Sequence, residues 1–227
     1  MIFGLSDLHL DITKAKDMSV FGENWTDYEE RIFQSWQELV RDEDIVLIPG
    51  DISWAMTLDE GVKDLDRIDD LPGYKVMIKG NHDYWWASIG KIRQKDFRTI
   101  HFLQNDSAII NDVGVFGTRG WISPDSPDFT DHDKKIFDRE LQRLQLSYKH
   151  LKKDSLSKVI GMTHYPPFTK DGQLNAIGQQ IVDYKVDVCV YGHLHSTGLK
   201  QVVEGKIGQT EFYCLSADYL DFRPRQI

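Results

Sequence analysis

Cysteine is scarce: Cys189 and Cys214 are all the sequence holds. Each sits in an apolar, strand-like context, where a buried free thiol is the expectation. A reducing, cytoplasmic setting follows as an expectation. No apolar run approaches the roughly 20 residues that a membrane-spanning helix needs. Met1-Ile2-Phe3 enters a strand at once, without a basic lead, so no signal peptide is expected. Lys and Arg form no block and the net charge is −9, which argues against a broad electrostatic grip on duplex nucleic acid. Small anionic substrates stay open, because bound divalent cations reverse the local sign. There is no internal repeat, low-complexity segment or linker, so residues 1–227 read as a single domain. The 227 residues are enough for one sizeable core, and 41% hydrophobic content is ordinary for a globular chain.

What is present is a repeated event: a short apolar run that ends in metal-grade polar side chains. Ile45–Ile48 ends at Pro49-Gly50-Asp51, and Val76–Ile78 leads through Lys79 to Gly80-Asn81-His82-Asp83. Continuous apolar runs predict strands buried on both faces. A following Gly lets the chain turn sharply, leaving the next side chains at the carboxyl edge of a sheet. Ile2–Ser6 is followed by Asp7-Leu8-His9, Val159–Met162 by Thr163-His164, and Val186–Tyr191 by Gly192-His193-Leu194-His195. In extended chain, residues i and i+2 point the same way, so each D-x-H or H-x-H pair aims two ligands at one point.

Between these ends the pattern alternates strand and helix, predicting an α/β fold. Thr26 and Asp27 with Glu29 and Glu30 predict a capping box, and Ile32, Phe33, Trp36, Leu39 and Val40 the apolar face of its helix. Leu58, Val62, Leu65 and Ile68 mark a second helix, stopped by Pro72-Gly73. Ser88–Gln94 reads as helix and Ile100–Leu103 as strand. Ala108–Ile110 and Val113–Gly117 predict a hairpin turning at Asn111-Asp112. Trp121–Asp133 reads as a loop over the site. Asp133–Lys153 is the longest helix candidate, with Ile136, Leu141, Leu144, Tyr148 and Leu151 inward. Ala176–Tyr184 predicts a short helix, and Gly198–Ser216 a closing hairpin turning at Glu204-Gly205.

The ordered series D-x-H, G-D, G-N-H-D, H, G-H-x-H, from Asp7 to His195, resembles the calcineurin-like metallophosphoesterase superfamily. The resemblance implies two packed, mostly mixed sheets flanked by helices, a four-layer αββα sandwich. It implies two divalent metal ions, with Asp7, His9, Asp51 and His195 holding one and Asp51, Asn81, His164 and His193 the other, Asp51 bridging. Such N and O ligands without thiolate suit Mn²⁺, the first choice here, and also Fe, Zn²⁺ or Ni²⁺. Two cations about 3.5–4 Å apart stabilise phosphoryl oxygens and lower the pKa of a bridging water. The family uses the His82 position to protonate the leaving alkoxide or to stabilise the transition state, and Asp83 is expected to orient His82.

The implied activity is hydrolysis of phosphomonoesters or phosphodiesters, on a small molecule or nucleotide. A nuclease on short single strands and a non-catalytic scaffold are the alternatives. After Asp51 come Ile52-Ser53-Trp54, without the acidic residue or Asn that many members carry and without the Arg of protein Ser/Thr phosphatases, which disfavours a protein phosphatase. Arg119, after a strand, is read as a phosphate contact or a surface salt bridge. Trp54, Tyr84, Trp85, Trp86 and Trp121 read as core or interface packing, with stacking of a nucleobase or aromatic leaving group as the alternative. His101, His132 and His150 match no motif and read as surface or loop residues.

Overall fold

The computed structural model describes residues 1–151 and 155–227. In chain order the elements are β1 (Ile2–Gly4), α1 (Tyr28–Leu39), β2 (Ile45–Ile48), α2 (Leu58–Asp69), β3 (Tyr74–Met77), α3 (Ile89–Arg93), β4 (Ile100–Phe102), β5 (Ser107–Ile110) and β6 (Val113–Thr118). There follow α4 (Asp131–Lys149), β7 (Lys158–Thr163), α5 (Ala176–Asp183), β8 (Val188–Tyr191), β9 (Gly205–Ile207), β10 (Thr210–Cys214) and β11 (Arg225–Gln226). They form a five-stranded sheet, β11-β1-β2-β3-β4, and a six-stranded sheet, β5-β6-β7-β8-β10-β9. Both are mixed: β1 to β4 run parallel with β11 reversed, and β6, β7, β8 and β10 run parallel between reversed edges.

Side-chain alternation builds the layers. Ile45 and Leu47 of β2 face the second sheet, where they join Val115, Ile160, Met162, Val188 and Val190. Val46 and Ile48, one residue out of phase, face Ile32 and Trp36 of α1 and Leu65 and Ile68 of α2. In the second sheet Cys189 and Tyr191 of β8 face outward onto Phe137, Leu144, Ile177 and Ile181 of α4 and α5. Helices, sheet, sheet and helices therefore enclose three apolar layers, the αββα arrangement. Each fully buried Val, Leu or Ile contributes about 1.5–3 kcal/mol. Cys189 and Cys214 are buried and unbonded to each other.

Local departures from the sequence expectations have physical reasons. Asp27 precedes α1 with φ 50° and no capping bond. The expected box fails because Glu29 instead accepts from the Asp11 N–H (2.9 Å) and from Arg67 (2.6 Å). Capping boxes form at Thr57–Glu60 and Thr130–Asp133. The buried row of α4 is Phe137, Glu140, Leu144 and Ser147. Of the expected inward residues Leu144 and Leu151 are buried and Leu141 and Tyr148 pack against the same core, while Ile136 does not join it. A search for apolar residues misses Glu140, which takes an inward position and accepts from Thr118 and Arg143. The expected end of that helix at Lys153 lies outside the described residues; α4 ends at Lys149.

The closing hairpin turns at Gly208-Gln209, between β9 and β10, and not at Glu204-Gly205. Glu204 instead takes the Cys214 N–H (2.9 Å) and Arg225 (2.6 Å), and Ser196–Gln201 is a 3-10 helix. His101 is not a surface or loop residue: it lies half-buried in β4, and burial lowers its pKa. His132 is exposed, and His150 Nδ1 meets the Leu146 carbonyl at 2.8 Å at the end of α4.

Candidate metal centre

Every donor selected from the sequence follows the carboxyl end of a parallel strand. Asp7 and His9 follow β1, Asp51 follows β2 and Asn81 follows β3 in the first sheet; His164 follows β7, and His193 and His195 follow β8, in the second. The two sheets are tied at this end, where the Ser6 N–H, after β1, bonds to the Leu215 carbonyl, after β10 (2.7 Å).

The glycines do not make the turns alone. Asp7 (φ 60°), His9 (45°), Asp51 (52°) and His193 (75°) themselves take left-handed backbone, a conformation uncommon outside glycine. Such strain costs about 1–3 kcal/mol per residue and clusters at functional sites. Gly80 and Gly192 serve close approach: a Cβ at Gly80 would lie 2.1 Å from Asp51 Oδ1, and one at Gly192 2.3 Å from Asp7 Oδ2. Because the backbone is not extended, the i, i+2 expectation fails for one pair. Asp7 and His9 share a donor group, but His193 and His195 divide between two.

The two groups are Asp7, His9 and His195, and Asp51, His164 and His193, each with one ligand atom per residue within 4.8 Å of the others. Asp51 Oδ2 lies 3.8 Å from His9 Nε2 in the first and 3.5 Å from His164 Nε2 in the second. Asn81 Oδ1 stands 2.7 Å from His164 Nε2 and 2.9 Å from His193 Nδ1.

The electrostatics fit cations. Burial lowers His164 to about 4, against the opposing pull of Asp7, and lowers His193 to about 3. A neutral imidazole carries one N–H. For His164 that proton faces the Pro49 carbonyl from Nδ1 (3.0 Å), which leaves a lone pair on Nε2 against the Asn81 oxygen. Two acceptors so placed would suit a cation that both could ligate. Burial and the Asp7 and Asp83 charges raise Asp51 well above the usual carboxylate range. Burial alone would raise Asp7 also, but His195 and its neighbours outweigh it and lower it. Burial lowers His9 well below its usual value.

His195 behaves otherwise. Its Nδ1 lies 2.8 Å from Asp218, and its Nε2 lies 3.3 Å from Asp7. Burial alone would depress it, but Asp7 and Asp218 prevail and push it up to about 10. Asp218, not singled out from the sequence, joins the candidate site through this contact. A carboxylate behind a histidine ligand fixes its tautomer and raises its basicity. The signal was present: Phe212–Leu215 is one more strand run ending in polar residues, at Ser216-Ala217-Asp218.

His82 donates its backbone N–H to Asp51 Oδ1 (2.8 Å), and its ring lies 5.7 Å from His9 and 4.6 Å from Trp54. Its Nδ1 is buried without a partner, and burial lowers its pKa. Asp83 does not orient it. The fully buried Asp83 carboxylate accepts from the backbone N–H groups of Asp51, Ile52, Ser53 and Gly80 and from Trp85 Nε1. It therefore ties the Asp51 loop to the Asn81 loop. Trp54 stacks on His9 at 4.8 Å, Tyr165 lies 4.1 Å from His193, Trp85 and Trp86 are core, and Tyr84 is exposed. Arg119 gives its carbonyl to the His164 and Tyr165 N–H groups, and its guanidinium lies over Trp121 at 4.4 Å. Trp121 in turn meets Tyr165 at 5.3 Å, which brings the 121–130 loop to the rim of the centre.

Comparison with known proteins agrees with this geometry. The structure resembles phosphopantetheinyl hydrolase from Mycobacterium tuberculosis, with a TM-score of 0.58 and 12% identity over 95% of this chain and 88% of that one. It also resembles a protein of unknown function from Aquifex aeolicus, with a TM-score of 0.51 and 14% identity over 99% and 94%. At those identities the likeness concerns the fold. Gene 66 protein of Mycobacterium phage L5 is 32% identical over 78 residues, 34% of this chain; the chain thus spans little more than a third (37%) of that relative. The calcineurin-like phosphoesterase family model matches residues 1–197. With two donor groups of the kind a metal-dependent phosphoesterase needs, and with that match over most of its length, the chain belongs to the calcineurin-like phosphoesterase family.

Proposed function

We propose that this protein hydrolyses phosphomonoesters or phosphodiesters of a small molecule or nucleotide, with two divalent cations, Mn²⁺ foremost. The observation that carries the reading is Asp51 Oδ2, which faces an imidazole nitrogen of each donor group. On this reading Asp7, His9, Asp51 and His195 hold one cation, and Asp51, Asn81, His164 and His193 the other. The His164 Nε2 lone pair faces the Asn81 oxygen, acceptor against acceptor, which supports that assignment. Bound there, the cations supply Lewis acidity and an activated water.

The chain's own residues do the rest. His82, beside the first group and with a free ring nitrogen, holds a proton for the leaving oxygen or hydrogen-bonds its developing charge. Asp83 is a positioning residue, whose hydrogen bonds fix the backbone of Asp51 and Gly80. Asp218 keeps the His195 lone pair turned inward. Arg119 contributes positive charge for substrate phosphate. Convergence of all seven donors speaks against a non-catalytic scaffold. The buried, unbonded cysteines support a reducing, cytoplasmic location, and no helix among the described residues is long and apolar enough to cross a membrane.

The test is turnover of matched chromogenic mono- and diesters by chelator-stripped protein given Mn²⁺, with Asp51→Asn as control. Turnover that depends on Mn²⁺ and vanishes in the control is expected. A folded protein inactive with Mn²⁺, Zn²⁺, Ni²⁺ and Fe²⁺ alike on both esters would overturn the reading.

A further inference from the structure

Beside the donor groups, a cavity of about 270 Å³ opens where the ends of β3 and β6 face α4. Lys79, Arg119, Arg139 and Arg143 line it, with Glu140 as the carboxylate in its wall. Glu140 is already engaged: it accepts from Thr118 and from Arg143 (2.8 Å), with Arg139 at 3.9 Å. The side chains of Lys79 and Arg119 have no ion-pair or hydrogen-bond partner among the described residues, and Arg119 Nε is buried without one. Four cations against one carboxylate leave a surplus of three positive charges, in a chain whose net charge is −9.

A structural ion-pair network would neutralise these groups. Here two half-buried cations lie close to each other without an anionic partner, Arg119 having only the Trp121 ring face against its guanidinium, an arrangement that costs free energy until an anion enters. Arginine forks match phosphoryl oxygens in pairs, and a dianion answers the charge surplus better than a carboxylate. No donor lines the cavity, but two of its cations sit on the segments that carry donors. Lys79 precedes Asn81 by two residues, and the Arg119 carbonyl takes the His164 N–H at 3.0 Å.

We infer that this cavity is an anion subsite for a second phosphoryl group of the substrate, so that the preferred substrates are small phosphate esters bearing two phosphoryl groups. The inference rests on the hydrolase reading for the neighbouring site, but its test needs no turnover. Inorganic phosphate is titrated calorimetrically into chelator-stripped protein. Saturable submillimolar binding of one phosphate per chain is expected. Lys79→Met and Arg119→Gln should each weaken it by about tenfold or more, the scale of a desolvated charge contact. Arg139→Ala, at an exposed cation, should weaken it less. Circular dichroism identifies any variant that misfolds. Absence of saturable binding to wild type, or equal binding by all folded variants, overturns the subsite. Mn²⁺-dependent turnover on the same preparation separates the two readings. Phosphate binding without turnover under Mn²⁺, Zn²⁺, Ni²⁺ or Fe²⁺ keeps the anion site but sinks the hydrolase and with it the substrate role; turnover without phosphate binding keeps the hydrolase and sinks the anion site.

Discussion

The two sheets bring different chemistry to one seam. The five-stranded sheet delivers every oxygen donor, from Asp7, Asp51 and Asn81, and one imidazole, from His9. The six-stranded sheet delivers imidazoles alone, from His164, His193 and His195. Neither sheet carries a complete donor group, because each group draws on both. Metal binding should therefore report on the docking of one sheet against the other, and free energy of binding becomes free energy of folding.

The largest effect expected is on that coupling. Mn²⁺ should raise the melting temperature of the wild type, and Asp51→Asn should abolish both the shift and turnover. The loss should exceed the roughly 100-fold that an outer partner costs. A variant that still melts higher with Mn²⁺ to the wild-type extent would break the comparison. His82→Ala removes an imidazole from the first sheet that holds no metal in the proposed scheme. It should lower kcat by about 10²–10⁴-fold while metal content, read by elemental analysis, stays at wild type.

Asp218→Asn acts on the second sheet and should cost about 10–100-fold in metal affinity or activity. It should also change the pH dependence of the metal-free protein. His195 is raised to about 10 in the folded chain, from about 6.5 unfolded. The folded state thus holds the extra proton between those values. The stability it contributes is complete below pH 6.5 and is lost as the pH rises through 10. Chelator-stripped wild type should lose stability to urea over that window, and Asp218→Asn should flatten the slope. The smallest effects compare the flanking helices. Thr57→Ala before α2 and Thr130→Ala before α4 each break a capping box, worth about 1 kcal/mol, and should lower stability without changing metal affinity. A cost at one and none at the other would show that one helix is held mainly by its packing.

Much of this was legible from residue order alone. Apolar runs such as Ile45–Ile48 specified buried strands, and the polar residues after them, read through the family resemblance, marked the candidate donors that the fold brings together. Alternation within those runs also explains why β2 serves two apolar layers at once. What escaped were features set by tertiary partners. Glu29 satisfies the Asp11 N–H and Arg67, so it was unavailable to cap α1. Glu140 is inward because Thr118 and Arg143 meet it there, contacts that no periodicity encodes. Asp83 looked like an orienter of its neighbour His82, but five donors that the fold brings together surround it. Asp218 lies 23 residues after the histidine it supports, in the turn that follows β10, a strand whose end supplies no proposed ligand.

The left-handed backbone at Asp7, His9, Asp51 and His193 has a practical consequence. Asparagine takes that backbone as readily as aspartate. A chemically silent form can therefore keep the native loop. Asp51→Asn should yield protein that is inert yet folded, suited to holding an uncleaved natural ester long enough for its identification from a cell extract.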